Sequence, residues 1–392
     1  MTSNLSTIAA HAGSDPQGQH GAVNTPVYRA STILFPTLAA LEHASATPFE
    51  GVRYGRNGTP TTFAFEQAIA AMEGGCGAVS LPSGASAVFV ALLSVGARAG
   101  DHLLVADNVY APTRNFCDRA LAASGVETTY FDPRIGSGID ALIRPTTRAI
   151  VFESPGSITF EICDVPAFVA AAKPRGIVTI IDNTWATPVF FRPLDHGVDI
   201  SVMAATKYVV GHSDAMLGVI SCRDQARWET VKRTAMLYGY CAGPDEAYLG
   251  LRGLRSMPAR LVQHQATGLQ LAEWLQTQSE VTRVLHPALP GDPGHALWKR
   301  DFTGASGLFG IVLAPVSRAA LAAFVDGLAI FGMGWSWGGH ESLIVPYLRP
   351  PTRTAVPWTE PGFLLRIHAG LEDAGDLRRD LEAGFERLRK AA

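Results

Sequence analysis

Short apolar runs alternate with amphipathic segments along most of the chain from about residue 62 onward. The runs are rich in Val and Ile and too short for helices, so they predict buried strands of a parallel sheet. The amphipathic segments predict helices, and one of them, 62–75, ends at paired glycines that are typical helix stops. The alternation predicts an α/β fold with a mostly parallel, doubly wound sheet of five or six strands. The candidate strands cover 77–81, 102–106, 126–131, 149–154, 177–181 and 198–205.

Two of these apolar runs are followed closely by a charged residue, Asp182 in one case and Lys207 in the other. In open α/β sheets ligands bind beyond the carboxyl ends of the strands, so both charges are expected at one binding edge. Pyridoxal phosphate needs such a pair, a lysine for its aldehyde and an acid for its ring nitrogen. Taken singly, each residue has an ordinary explanation as a surface lysine or a turn aspartate.

A small-residue turn, Ser83-Gly84-Ala85-Ser86, joins the first predicted strand to the next predicted helix. Backbone N–H groups at such a turn, together with the positive end of the helix, suit a phosphate group. Tyr110 lies in a later strand-to-helix loop, where its ring could stack on a flat cofactor. Small residues at helix starts and buried tyrosines are both common for structural reasons alone.

The two ends of the chain differ from this alternating region. Residues 1–60 show little periodicity and predict an extended arm that orders only against something else, such as a second subunit; Tyr54 and Arg56 lie within it. After Pro244 a long helix is predicted, with a break near Pro258, leading to a smaller α+β domain. Arg366 interrupts an apolar strand there, which leaves two alternatives, a structural ion pair or the binding of a substrate carboxylate.

Composition narrows the classes of function. The chain has 392 residues, 47% of them hydrophobic, and a formal net charge of −3, which argues against nucleic acid or an anionic membrane as a partner. No apolar run approaches the ~20 residues of a membrane span, and the start lacks the pattern of a secretory signal. The five scattered cysteines suggest reduced thiols in the cytoplasm and offer no metal site.

Several motifs together resemble the Cys/Met-metabolism family of pyridoxal-phosphate enzymes over nearly the whole chain. The resemblance implies the aspartate-aminotransferase-like fold (fold type I) and a homotetramer built of two catalytic dimers. It divides the chain into an arm at 1–60 that contacts a neighbouring subunit, a cofactor-binding large domain at 61–255 and a C-terminal domain at 256–392. The motifs are YGRNGTPT, LPSGASA, Tyr110, ESPGSIT, DNTWATP, AATKYVVGHSD, LRGLR and SWGGHESL.

The resemblance also implies a role for each matching residue. Lys207 corresponds to the lysine that binds the cofactor aldehyde, Asp182 to the partner of the ring nitrogen, and Tyr110 to the stacked tyrosine. The remaining residues correspond to contacts with the cofactor phosphate or with the substrate. The phosphate contacts are Gly84, Ala85, Thr206 and, from the neighbouring subunit, Tyr54 and Arg56; the substrate contacts are Arg366, Ser336, Trp337 and Tyr54. Ala204 departs from the pattern, since many members carry a hydroxyl there.

Four positions favour one reaction within the family. Trp335 replaces a glutamate common in members that act at Cγ, and Pro112 replaces a cysteine of methionine γ-lyases. Ser157 and Trp337 resemble bacterial cystathionine β-lyases, which implies β-elimination of L-cystathionine to homocysteine, pyruvate and ammonia. The alternatives are a γ-synthase, a γ-lyase, a homoserine-ester sulfhydrylase or a cysteine desulfhydrase, and more distantly a non-catalytic regulator that binds the cofactor. No role follows for His212, Asp214 or His340.

Overall fold

The structure is a computed structural model that describes residues 4–391, and its larger sheet has seven strands within that range. Strands β2 to β6 run parallel to one another, in the order β3-β2-β4-β5-β6, and this confirms the predicted α/β fold. The strands are β1 Gly77–Leu81, β2 His102–Ala106, β3 Glu127–Phe131, β4 Thr147–Glu153, β5 Val178–Asp182, β6 Ile200–Met203 and β7 Gly218–Cys222.

Strand β7 was not among the predicted strands. It lies between β6 and β1 and runs antiparallel to both, so that β1 joins the sheet only through β7. All five of its residues are buried, because helices cover both faces of the sheet. The last parallel strands of the sheet, β5 and β6, therefore lie near its centre.

Twelve α-helices cover and connect the strands in the described part of the chain. They are α1 Leu5–His11, α2 Leu38–Ala46, α3 Pro60–Glu73, α4 Gly84–Ser94, α5 Ala111–Asn115, α6 Val165–Ala172, α7 Thr187–Phe190, α8 Gln225–Leu237, α9 Pro244–Leu275, α10 His295–Asp301, α11 Arg318–Val325 and α12 Ala374–Ala391. Short 3-10 segments occur at Gln17–Gln19, Gly55–Asn57, Gly136–Leu142, Lys173–Arg175 and Pro193–His196, and a π-helical segment, Phe116–Leu121, follows α5. Of residues 4–391, none belongs to a helix that is both long and apolar enough to span a bilayer.

A second, smaller sheet forms near the C-terminal end and is entirely antiparallel, in the order β10-β11-β9-β8. Helices α11 and α12 pack together beside it, and α12 buries Leu377, Leu381, Phe385 and Leu388, a spacing that places them along one helical stripe. Mixed helices and strands here confirm the predicted α+β character. The strands are β8 Val281–Leu285, β9 Leu308–Leu313, β10 Leu343–Tyr347 and β11 Leu364–His368.

Helix α9 is continuous through Pro258, so the predicted break at that residue is wrong. Proline removes one helical N–H donor and crowds the preceding turn. The backbone stays helical here, and the Gly253 carbonyl in the preceding turn accepts from Arg260 Nη2 at 2.8 Å and from the Ser256 hydroxyl at 3.3 Å. The helix crosses the boundary expected between residues 255 and 256, and the three-part division of the chain stays a prediction.

The N-terminal segment is more ordered than its weak periodicity indicates. Helix α1 packs against α3 and α9, and Arg255 Nη1 on α9 donates to the carbonyls of Ala9 and Ala12, both at 2.8 Å. Part of the predicted arm therefore docks on its own chain, and Ala9 is fully buried. Residues 1–3 of that arm lie outside the described residues.

Candidate active site

Asp182 ends β5 at the carboxyl edge of the large sheet, and its orientation is fixed by a short chain of hydrogen bonds. Thr184 donates to Asp182 Oδ1 twice, from its backbone N–H at 3.0 Å and from its hydroxyl at 2.5 Å. The Thr184 hydroxyl in turn accepts the N–H of Ala204, just beyond β6, at 2.8 Å. The ends of β5 and β6 thus hold the carboxylate in one direction.

Lys207 follows β6 by four residues and reaches across to the loop that precedes β10. Its Nζ donates to the Ser336 hydroxyl at 2.6 Å and lies 5.3 Å from the centre of the Trp337 ring. Burial, and then the positive charge of Arg366, lower the pKa of Lys207 to about 8, although Asp182 opposes the shift. An amine with this pKa can accept a proton near neutral pH.

Arg366 lies on β11 and points to the same loop, where its Nη2 donates to the Ser336 carbonyl at 2.9 Å. No carboxylate of residues 4–391 forms an ion pair with it, so the structural ion pair considered from the sequence is not observed. Burial lowers its pKa, which is a cost that an unpaired guanidinium carries. A carboxylate ligand would supply the missing partner.

Tyr110 immediately precedes α5 and leaves 44% of its surface exposed. Its backbone N–H donates to Glu153 Oε2 at 2.7 Å. Burial, followed by the nearby carboxyl groups of Asp182 and Glu153, raises the pKa of its phenol. The ring therefore remains neutral, which suits stacking on a flat ligand.

The small-residue turn before α4 has the geometry expected of a phosphate site. Ser83 caps the helix by accepting the N–H of Ser86 at 3.1 Å, and the first helical N–H groups, those of Gly84 and Ala85, have no earlier helical carbonyl to bond. A Cβ on Gly84 would overlap the side chain of Ala204, so only glycine fits there. Ala204 contributes a methyl group to this contact and no hydroxyl.

Thr206 and the pair Tyr54 and Arg56 have other partners in the single chain. The Thr206 hydroxyl donates to the Leu217 carbonyl at 3.1 Å and accepts the Leu217 N–H at 2.9 Å. It must give up the first bond to donate to a phosphate. Tyr54 is 45% exposed, and Arg56 Nη1 donates to the Met236 carbonyl at 2.9 Å, near the end of α8. Their role across a subunit interface stays a prediction.

Two contributors to this edge were not identified from the sequence. Thr184 orients Asp182, and Glu153 binds the Tyr110 turn. Glu153 carries the same signal as Asp182, a charged residue that ends a buried apolar run. Two of the three residues left without a role have local partners, since His212 Nδ1 donates to the Val210 carbonyl at 2.7 Å and His340 Nδ1 lies 3.4 Å from Glu341 Oε2.

The groups at this edge fit pyridoxal phosphate. They comprise an amine of lowered pKa, a fixed carboxylate for a ring nitrogen, an aromatic ring and a helix start with a glycine turn for a phosphate. Arg366 adds a cation without a carboxylate partner, which suits a ligand that carries a carboxylate of its own.

Comparison with known proteins agrees with this arrangement. The family described as Cys/Met metabolism PLP-dependent enzyme matches residues 6–386. Cystathionine beta-lyase MetC of Escherichia coli (strain K12) is 45% identical over 392 residues, with 98% of each chain covered. L-alanine/L-glutamate racemase of Wolbachia pipientis wMel is 40% identical over 396 residues, with 97% of each chain covered.

A solved structure supports the fold assignment. Cystathionine gamma synthase from Xanthomonas oryzae pv. oryzae, in complex with aminoacrylate and cysteine, superposes with a TM-score of 0.90 at 32% identity, and 100% of each chain is covered. Proteins with these degrees of similarity carry names for more than one reaction. Which reaction this chain catalyses therefore has to be argued from its own residues.

Proposed function

Because the chain belongs to the Cys/Met metabolism PLP-dependent enzymes, we propose that it cleaves the Cβ–S bond of L-cystathionine, yielding homocysteine, pyruvate and ammonia. The observation that carries the proposal is the double contact of Ser336, whose hydroxyl accepts from Lys207 and whose carbonyl accepts from Arg366. A proton acceptor and a carboxylate-binding group are thereby both bonded to one residue. This places them side by side, as removal of the α-proton of an amino acid requires.

Each residue has a distinct task in this reaction. Arg366 binds the α-carboxylate of the substrate, and Lys207 takes the proton from Cα. Asp182 holds the proton of the ring nitrogen, and Tyr110 covers the ring. Bound pyridoxal phosphate supplies the electron sink for the charge left at Cα. The Cβ–S electron pair leaves with sulfur as homocysteine after protonation, and water converts the three-carbon fragment to pyruvate and ammonia.

Cleavage at Cβ is favoured over cleavage at Cγ by the side chain at position 335. Trp335 is 76% exposed, and its ring centre lies 6.3 Å from that of Tyr347, so this position presents an aromatic surface. Family members that act at Cγ often carry a glutamate at this position. Unlike a carboxylate, the indole of Trp335 cannot serve an additional proton transfer during cleavage at Cγ.

We further propose that the enzyme acts in the cytoplasm as a homotetramer of two catalytic dimers, in which Tyr54 and Arg56 serve the neighbouring site. Large apolar side chains near the Arg56 contact support self-association, because Leu237 is 83% exposed and Tyr238 is 55% exposed. Both follow Met236, whose carbonyl binds Arg56. An interface here would cover these side chains and the arm together.

The test compares products from several substrates under identical conditions. Purified holoenzyme is incubated separately with L-cystathionine, L-cysteine, an O-acyl homoserine and L-alanine, and keto acids, thiols and enantiomers are measured. Pyruvate with homocysteine, formed from cystathionine at the highest kcat/KM, is the expected result. Formation of 2-oxobutyrate with cysteine, racemised alanine as the main product, or no turnover would each overturn the proposal.

A further inference from the structure

A second buried carboxyl, Glu153, lies next to Asp182 at the carboxyl edge and has no task in the proposed reaction. It ends β4, and in the parallel pairing of β4 with β5 it stands directly opposite Asp182. Only 9% of its surface is exposed. Within residues 4–391 both of its oxygens are held by uncharged groups, the N–H of Tyr110 at 2.7 Å and the hydroxyl of Ser157 at 2.6 Å.

These two contacts join the loop that carries Tyr110 to the loop that follows β4. The loops also pack closely, because a Cβ on Gly156 would overlap the side chain of Asn108. The Glu153 carboxyl is the shorter hydrogen-bonded link between them, since it bonds one residue of each loop, and Asn108 Nδ2 adds a longer bond to Glu161 Oε2 at 3.3 Å. If the carboxyl moved away, the Tyr110 N–H would lose its hydrogen-bond partner. The turn that carries Tyr110 would then no longer be fixed in place.

Two neighbouring buried carboxyls are not both ionised without a large cost, so one of them holds a proton. Burial, and then the charge of Asp182, raise the pKa of Glu153 well above its ordinary value, although the hydrogen bonds with Ser157 and Tyr110 oppose the shift and no cation among residues 4–391 does. Burial also raises the pKa of Asp182, but the Thr184 hydrogen bonds and the charge of Lys207 oppose that shift. The proton therefore belongs on Glu153 and the charge on Asp182.

We propose that Glu153 is a positioning residue that acts as a neutral carboxylic acid, in which the carbonyl oxygen accepts from the Tyr110 N–H and the O–H donates to the Ser157 hydroxyl, so that the negative charge of the pair stays on Asp182. The inference rests on the proposed use of Tyr110 and Asp182 in the reaction. The groups that face Glu153 are Asp182 on β5, the Tyr110 turn, and the Ser157 hydroxyl and Cys163 thiol that follow β4. Of these, Asp182 carries the only charge near neutral pH.

Two conservative variants separate geometry from charge. Glu153→Gln keeps the length and neutrality of the side chain, and its amide can still accept from Tyr110 and bond Ser157. Glu153→Asp keeps the ionisable group but is one methylene too short to reach both partners. We expect cofactor dissociation constants and kcat/KM within about threefold of wild type for Glu153→Gln, and both at least ~10-fold worse for Glu153→Asp.

Control variants at an exposed glutamate, Glu273→Gln and Glu273→Asp, should change neither quantity. A Glu153→Gln variant impaired as much as Glu153→Asp would overturn the proposal, because it would show that the charge of Glu153 is required. Near-normal values in Glu153→Asp would overturn it as well, because the contact with the Tyr110 turn would then be dispensable.

A second readout uses the apoprotein and needs no turnover. A carboxyl whose pKa is higher in the folded than in the unfolded chain stabilises the fold fully below its unfolded pKa, and this contribution is lost as pH rises through its folded pKa. Wild type should therefore lose stability relative to Glu153→Gln as pH rises from 5 to 8, and the difference in melting temperature should grow by ~1–3 °C.

The difference in melting temperature between wild type and Glu153→Gln could instead stay constant over this pH range. That result would overturn the proposal that Glu153 is neutral, because it would mean that Glu153 ionises alike in the folded and unfolded chain. Glu273→Gln is the matched control and should show no trend. Since neither cofactor affinity nor melting depends on the substrate, failure of the proposed lyase reaction would leave these results unchanged. The two proposals can therefore fail separately.

Discussion

Ser336 is the residue through which the two cationic side chains of the site are held together. It adopts a φ of 89°, which is costly for a residue with a side chain and turns its hydroxyl and carbonyl to different partners. Lys207 bonds the hydroxyl and Arg366 the carbonyl. The strained backbone at Ser336 therefore fixes the spacing between proton acceptor and carboxylate-binding group.

Replacing the lysine tests the first of these two roles. Lys207→Ala should retain cofactor affinity through the α4 turn but lose turnover by on the order of 10³-fold, because no other amine among residues 4–391 bonds the Ser336 hydroxyl. Equilibrium cofactor binding and single-turnover kinetics measure the two effects. The exposed Lys173 gives a control, since Lys173→Ala should behave as wild type. Substantial turnover in Lys207→Ala would refute the assignment of Lys207 as the proton acceptor.

Replacing the arginine tests the second role. Arg366→Ala should raise KM for the amino-acid substrate roughly 10- to 100-fold, because a charge-assisted bond to the α-carboxylate is lost. The melting temperature should change little, since no carboxylate within residues 4–391 loses an ion-pair partner. Steady-state kinetics and calorimetry test both points, with Arg318→Ala as an exposed control. A fall in stability with unchanged KM would favour a structural role.

At the scale of elements, a buried cluster supports the loop behind Lys207. The rings of Tyr208, His264 on α9 and His368 on β11 lie 5.1 to 5.9 Å apart between centres. His264 Nδ1 donates to the Ala369 carbonyl at 2.8 Å, and His368 Nε2 accepts the N–H of Gly338 at 3.1 Å. The cluster thus ties the helix, the small sheet and the SWGG loop together.

These two histidines make stability depend on pH. Burial lowers the pKa of His264 to about 4 and that of His368 to about 3, below the ~6.5 of an unfolded chain. Their stabilising contribution is therefore full above pH ~6.5 and is lost as pH falls toward their folded values, by roughly 2 kcal/mol per histidine between pH 6.5 and 5.

A single substitution reveals this dependence. His264→Asn can still donate to the Ala369 carbonyl but cannot take up a proton, so its unfolding free energy should fall less than that of wild type between pH 6.5 and 5. Denaturant titrations at the two pH values measure the difference, and the exposed His43→Asn is the control. Equal falls in wild type and His264→Asn would show that His264 titrates normally in the folded chain.

Helices and strands could be predicted from the sequence wherever the hydrophobic period and the length of the segment indicated the same type of element. Six strands of the large sheet are predicted by their apolar runs. The short run of β7 comes directly after a loop motif and is hard to separate from that loop in the sequence. Strand β10 contains Pro346, which argues against a strand, but β10 is an edge strand, where the missing N–H is tolerated. No local pattern reveals that α9 continues through Pro258, because proline in a helix interior usually marks a kink or a break.

The candidate site was predictable in part for the same reason. Asp182 and Lys207 were identifiable because charged residues close to the ends of apolar runs must face a binding edge. Ser336 was identified only through the resemblance to the family. Its contacts are with Lys207 and Arg366, which lie 129 and 30 positions away in the sequence. Its backbone conformation is not encoded by a glycine, so no local signal marks it.

At the scale of the whole molecule, the central question is whether one chain completes its own site. Arg56 binds the Met236 carbonyl near exposed apolar side chains, and its proposed ligand belongs to a neighbouring subunit. If that assignment holds, Lys207 and Arg56 of one chain serve two different sites. Defects in the two residues would then complement each other in mixed assemblies.

Complementation gives a quantitative prediction. Lys207→Ala and Arg56→Ala should each have low activity alone, but chains refolded together in equal amounts should recover about one quarter of wild-type activity, because half the dimers are mixed and each has one intact site. Native mass spectrometry verifies that mixed assemblies form. Mixed assemblies without recovered activity would show that Arg56 serves the site of its own chain.

The proposal that this chain breaks the Cβ–S bond can be tested most directly by following the carbons of the substrate. L-Cystathionine labelled with ¹³C only in its three-carbon half is added to the holoenzyme, and NMR spectra are recorded during turnover. The account predicts that the label appears in pyruvate while unlabelled homocysteine accumulates. Label appearing in cysteine, with unlabelled 2-oxobutyrate, would mean that the Cγ–S bond is broken and would contradict it.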